Sequence, residues 1–228
     1  MNWRKWAYLL NMIGCILFVF FTFIGMLFYA GGTYKDPTIK GYSFFMNFFS
    51  DIGRTVAYSG SSNLIAFIFF SLAFFLVGIM LIPMFLAFPS FFSNRTISWE
   101  FCIFGSILGL FAAFCFSGIT FAPSDIHSGA HSFFVYAGFL SGFVVSLLYS
   151  LAIFLQKSYN KRYGFNLLFF TIILALYLIL LFGGPSSESL TGLVIQATGQ
   201  KIVLYTFAIC LFLHGYGAYS QEKAMTKE

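Results

Sequence analysis

Apolar residues run along this chain in six long blocks, roughly Trp6 to Ala30, Asn63 to Phe88, Trp99 to Thr120, Gly129 to Leu155, Gly164 to Gly183 and Lys201 to Tyr219, with the polar residues gathered in the gaps between them. At about 1.5 Å rise per residue, each block is long enough to cross a hydrocarbon core of about 30 Å as a helix. The apolar/polar alternation of a membrane β-barrel is absent. A spanning segment must satisfy its own backbone hydrogen bonds, so the pattern predicts an all-α fold: a polytopic bundle of six transmembrane helices in a single integral membrane domain, residues 1–228.

Composition sharpens this reading. Only 8% of the 228 residues are charged against 60% hydrophobic, too little charge to cover a soluble domain of this size. Phe is the commonest residue at 35 copies, consistent with helices exposed to lipid, and also with compositional drift. The first block follows Arg4 and Lys5 as a signal peptide would, but its apolar stretch is too long for one and it lacks a small-residue cleavage site, so it is expected to remain as a helix. With the N-terminus cytoplasmic, Arg4, Lys5, Arg95, Lys157, Lys161, Arg162, Lys223 and Lys227 lie inside and only Lys35, Lys40, Arg54 and Lys201 outside, which places both termini in the cytoplasm. The net charge of +5 then reflects topology, and gives no reason to expect nucleic-acid binding.

Cys15, Cys102, Cys115 and Cys210 all fall in predicted spans and read as buried free thiols. The sequon Asn94-Arg95-Thr96 lies in a predicted cytoplasmic loop and is expected to stay unmodified. Pro83 is the one proline well inside a span and is expected to kink or end it. Gly105 with Gly109, and Gly138 with Gly142, have the four-residue spacing that lets helices approach closely, within the bundle in preference to a dimer seam. No three-plus-three repeat is visible, and the spans carry no deep acidic residue, which argues against an ion-driven transporter.

The longest link, about Gly31 to Ser62, is external, and its apolar patch Tyr42-Ser-Phe-Phe-Met-Asn-Phe-Phe49 is too short to span, so it either lies in the membrane interface or caps the bundle. A third external link is expected over about Gly184 to Gln200. The candidate chemistry collects on this side: Asp51 and Arg54, Asn63 at the head of the second span, and Asp125, His127 and His131 around the start of the fourth. Asp125 suits a helix N-cap, and Asp51 suits pairing with Arg54 beside a Gly turn. His127 and His131 are four apart and would share a helical face, as two imidazoles must to hold one zinc ion with Asp125 or Asp51 as a third ligand. Lone H-x-x-x-H is a weak motif, and hydrogen-bonded histidines are the commoner reading. His214 lies about 20 Å deeper than Lys201, so a three-histidine intramembrane hydrolase site is not supported and a packed or snorkelling residue is expected.

Three elements together, Asn47-Phe-Phe-Ser-Asp-Ile-Gly53, Asn63 followed by a span reaching Gly78, and Pro123-x-Asp125 with histidine and Phe133-Phe134, resemble a family of archaeal and bacterial six-span membrane proteins defined by a domain of unknown function with S-D-[IL]-G and P-x-D…H elements. That family is itself similar to the DRAM and Sfk-like membrane proteins. Arg54 departs from the small or polar residue usual after the S-D-[IL]-G element. The resemblance covers almost the whole chain and implies the fold, the position of the site and a prokaryotic plasma membrane, but no reaction.

The expected function is thus a non-enzymatic membrane component whose extracytoplasmic pocket of Asp51, Arg54, Asn63, Asp125, His127 and His131 engages lipid headgroups or a partner protein, with homo-oligomerisation another form such a partner takes. The alternatives are a zinc-dependent lipid hydrolase, with Asp51 as base and Arg54 holding phosphate, and an accessory subunit of a larger membrane complex.

Overall fold

A computed structural model describes residues 3–93 and 95–225. Six helices account for the six apolar blocks: α1 (Trp3–Leu27), α2 (Leu64–Ala87), α3 (Ile97–Ile119), α4 (Ser128–Leu155), α5 (Lys161–Gly183) and α6 (Leu190–Met225). All six are long and apolar enough to cross a membrane. Each helix packs on its neighbours in the chain, and α6 closes back on α1, giving a ring of six. One end of the ring, the terminal face, holds Trp3 of α1, Met225 of α6, the Phe88–Phe91 turn and the 156–160 link; the other, the cap face, holds residues 28–63, 120–127 and 184–189.

The ring is filled by aromatic side chains. Phe18 of α1, Phe74 of α2, Phe116 of α3, Phe170 of α5 and Phe207 of α6 meet on the axis with centroid separations such as 5.1 Å for Phe18–Phe74 and for Phe116–Phe207. Phe18 meets Phe74 and Phe207 edge to face, a preferred aromatic geometry. The abundant Phe is thus core as well as exposed helix surface. Glycines set the helix spacing: a Cβ on Gly109 would come within 2.4 Å of the Phe85 ring, and one on Gly105 within 2.8 Å of Tyr149, so this pair packs inside the bundle. All four cysteines are buried and free. Asn94 of the sequon lies outside the described residues.

Pro83 lies inside α2, which continues for one turn to Ala87 and then tightens into a 3-10 turn, Phe88–Phe91. One sequence expectation is corrected. The link expected over about Gly184 to Gln200 is mostly helix, because α6 begins at Leu190. Its longer polar side chains are tolerated there since each finds a partner: the Gln196 amide donates to the carbonyls of Leu180 and Pro185, Gln200 accepts from the Phe49 amide, and the Lys201 ammonium donates to the Asn47 and Ala197 carbonyls.

Residues 28–63 fold into a compact cap that starts with a tight turn. Gly32 has φ +81°, and a Cβ there would lie 2.3 Å from the Ser59 amide nitrogen. Gly60 has φ +82° but open space around it. Gly32→Ala is therefore expected to destabilise by about 2–4 kcal/mol, strain plus overpacking, and Gly60→Ala by about 1 kcal/mol, strain alone. Thermal unfolding of the two variants in detergent checks this; equal shifts would contradict it.

Candidate functional site: a cap fastened to the bundle

The cap contains a 3-10 turn, Phe49–Gly53, whose third residue is Asp51. Asp51 is 3% exposed. Its carboxylate accepts from the Phe48 amide at 2.8 Å and from the Asn47 side-chain amide at 3.2 Å, and Asn47 in turn accepts from the Ser43 amide and donates to the Gly32 carbonyl. Burial pushes the Asp51 carboxyl up to about 6, against the opposing pull of its Asn47 and Phe48 bonds and of the Arg54 and Lys201 charges.

Helix α6 holds this turn from below. Besides the Gln200 bond to Phe49, at 2.7 Å, the Lys201 ammonium reaches the Asn47 carbonyl and lies 5.3 Å and 5.2 Å from the ring centroids of Tyr42 and Phe44. Lys201 is 1% exposed, so its charge is met by carbonyls, ring faces and the nearby Asp51 in place of water. Within the 42–49 segment, Asn47 and Phe49 are buried against the bundle, while Phe44 and Phe45 are exposed.

Asn63 and Asp125 close the rest of the cap. Asn63 precedes α2 without capping it; its side chain accepts from the Ala30 amide and donates to the Ile52 and Arg54 carbonyls. Asp125 is not the N-cap of α4, a position held by His127. Its carboxylate instead accepts from the Thr55 amide, the Thr55 hydroxyl at 2.7 Å and the Val56 amide at 3.0 Å, so that it latches the α3–α4 link to the cap. Partial burial raises the Asp125 carboxyl, but the Thr55 hydroxyl and the Val56 and Thr55 amides outweigh this and hold it below the ordinary carboxylate range. At the rim, Tyr34 and Lys35 both donate to Glu188, an exposed tie worth little.

The expected Asp51–Arg54 ion pair does not form among the described residues. Arg54 turns away from Asp51, stacks its guanidinium 4.1 Å from the Tyr58 ring centroid and donates only through Nε, to the Val56 carbonyl. His127 is exposed at the start of α4, next to the Asp125 latch. His131 is buried and its Nδ1 lies 2.9 Å from the Ala122 carbonyl. A carbonyl only accepts, so Nδ1 carries the hydrogen and Nε2 is left as the acceptor. His131 lines a small cavity of about 20 Å³ under the cap, together with Ser50, Gln200, Phe49 and Phe116.

The Asp125 latch thus joins the 54–56 segment, Arg54 included, to the link that ends at exposed His127, and Asn63 is buried behind Arg54. Asp51 serves the interior of the cap and His131 the interior of the bundle. Among the described residues no three His, Cys, Asp or Glu side chains converge as metal ligands. Sequence reasoning missed Asn47 as the hub beside Asp51, Thr55 as the partner of Asp125, and Tyr58 as the platform for Arg54. The four-residue spacing of Asn47 and Asp51, and of Arg54 and Tyr58, is a local signal for the first and the third; Thr55, far from Asp125 in the chain, carries none.

No known protein family, curated protein or solved structure matches the chain.

Proposed function

We propose that the protein is a non-enzymatic, multi-pass membrane component whose cap, on the extracytoplasmic side, binds phosphate-bearing lipid headgroups through Arg54 and His127. The posture of Arg54 carries this reading. Its stem is fixed by the Tyr58 stack and one backbone bond, and its terminal nitrogens have no protein acceptor among the described residues, so the planar fork is pre-set for the paired oxygens of a phosphate. Asp51 and Asp125, which the hydrolase reading would need as base and ligand, are already engaged by the cap's own backbone. Phe121 and Ile126, flanking Asp125 and strongly exposed, suit the lipid interface beside a headgroup. Basic residues concentrated at the terminal face support a cap on the extracytoplasmic side.

Native mass spectrometry of detergent-purified protein tests the proposal. Wild type is expected to retain phosphatidylglycerol in preference to diacylglycerol, and Arg54→Gln to lose that preference by about tenfold, the worth of one charge-assisted contact. Equal retention of both lipids by wild type, or an unchanged preference in a folded Arg54→Gln variant, would count against it.

A further inference from the structure

On the bundle axis, on the terminal side of the Phe116–Phe207 contact, lies a second cavity of about 40 Å³, walled by side chains of α2 to α6. Rigid rings hold these helices apart: Phe85 and Tyr149 lie 6.2 Å apart between centroids, and Phe170 and Phe207 6.0 Å. Ala112 and Gly142, which also border the gap, are too short to fill it.

Three polar residues belong to the wall, but they present only carbon to the space. Ser146 turns its hydroxyl to the Phe143 carbonyl and to Thr171, and the Tyr149 hydroxyl bonds Ser106. Both ring nitrogens of His214 are buried in the packing, where the imidazole lies 4.5 Å from the Phe88 ring and 5.7 Å from that of Tyr149. A buried water needs about two to four polar partners, and this wall offers none, so the cavity is dry.

We propose that the axial cavity is a binding site for one small apolar molecule of the size of dioxygen. Its volume equals about three water-sized spheres at roughly 10–15 Å³ each, far below the ~150 Å³ of a cavity that takes benzene. Atoms that face an empty gap lack dispersion partners; an apolar guest restores those contacts and displaces no bound water. A charged or hydrogen-bonding guest would give up its partners in water and gain none here. The wall therefore selects by size and by lack of polarity. Side-chain fluctuations admit such guests to enclosed apolar cavities, so no standing channel is required.

Methyl NMR of the full chain in detergent under xenon pressure, with xenon as an inert substitute for dioxygen, tests this. Xenon also dissolves in the detergent around the helices, so saturation is what tells a site from partitioning. The Val145 and Leu167 methyls of the wall are expected to shift along a saturating curve, and those of exposed Ile172 and Leu176 in proportion to pressure. Ala112→Val and Val145→Ile each add carbon to the space and are expected to abolish the saturating shift at Leu167. Dioxygen in place of xenon should speed relaxation of the Leu167 methyls through its unpaired electrons, and less so in Ala112→Val. Shifts at the wall that stay proportional to pressure, or a saturating shift that survives both substitutions in folded protein, would overturn the proposal. So would equal relaxation by dioxygen in wild type and Ala112→Val. Magnetisation passing from water to the Val145 methyls as fast as to those of exposed Val56 would show a wet cavity and overturn it too.

Discussion

Lys201→Met is expected to lower the stability of the protein by about 3 kcal/mol, the scale of breaking a buried charge out of its network, and to release the cap before the bundle unfolds. Methionine keeps the length and apolar character of the stem, so packing against Tyr42 and Phe44 survives. What is lost is the donor to the Asn47 carbonyl and the positive charge facing buried Asp51. Asp51→Asn in the same chain removes the uncompensated carboxylate while keeping an oxygen for the Phe48 amide, so the double variant is expected to recover part of the loss. Thermal unfolding of the two single variants and the double variant, with limited proteolysis of the 31–62 segment, reads both effects. A Lys201→Met variant with wild-type melting and an intact cap would show that α6 does not fasten it.

Asp125→Ala is the second large effect, a loss of about 2 kcal/mol at neutral pH. One ionised group there accepts from Thr55 and Val56, with part of each bond's worth given back to solvent because the site is only partly buried. The pH dependence has a definite sign. The folded-state pKa of Asp125 is lowered, so the unfolded state binds the proton more readily; the contribution is full above the ordinary carboxylate pKa and is lost as pH falls through the lowered one. The gap between wild type and Asp125→Ala should therefore close in acid. Asp51 runs the opposite way. With its carboxyl raised to about 6, the folded state binds the proton more tightly, so its contribution is greatest in acid, declines as pH rises to about 6 and is level above that. The Asp125→Ala variant should keep this second dependence alone. Melting temperatures of both proteins across the acid range check it, and a gap that widens in acid would contradict the assignment of Asp125 as an ionised latch.

The six helices were legible in the sequence because nothing else accommodates apolar blocks of that length. Their ends moved by only a few residues, except in α6. There Gln196 and Gln200 read as loop residues and Lys201 as the first residue of the span, since a polar side chain announces solvent unless its partner is known, and the partners lie in other elements: the Leu180 carbonyl, the Phe49 amide and the Asn47 carbonyl. Asp51, Arg54, Asn63 and Asp125 lie together at one end of the bundle, but their roles were not legible. Asp125 had the local grammar of an N-cap, yet its acceptors were taken up by Thr55 and Val56, about seventy positions earlier in the chain. Asp51 and Arg54 suggested a pair by proximity in sequence, whereas the 3-10 turn points the carboxylate inward and leaves Arg54 outside it. His214 was placed at the right depth and is packed, with no snorkelling; its unmet nitrogens belong to the way five helices surround it, which no local pattern records.

The central claim is that the patch formed by Arg54 and His127 on the fastened cap meets phosphate-bearing headgroups, and site-specific photo-crosslinking tests it most directly. A benzophenone amino acid replaces His127 in protein reconstituted in bilayers containing radiolabelled phosphatidylglycerol, with replacement of Lys157 on the terminal face for comparison. Both substitutions are then repeated in the Arg54→Gln background. The account predicts strong labelling from position 127 that falls in the Arg54→Gln background, and labelling from position 157 that does not depend on Arg54. Labelling at position 127 that is no stronger than at 157, or that survives the loss of Arg54 unchanged, would contradict it.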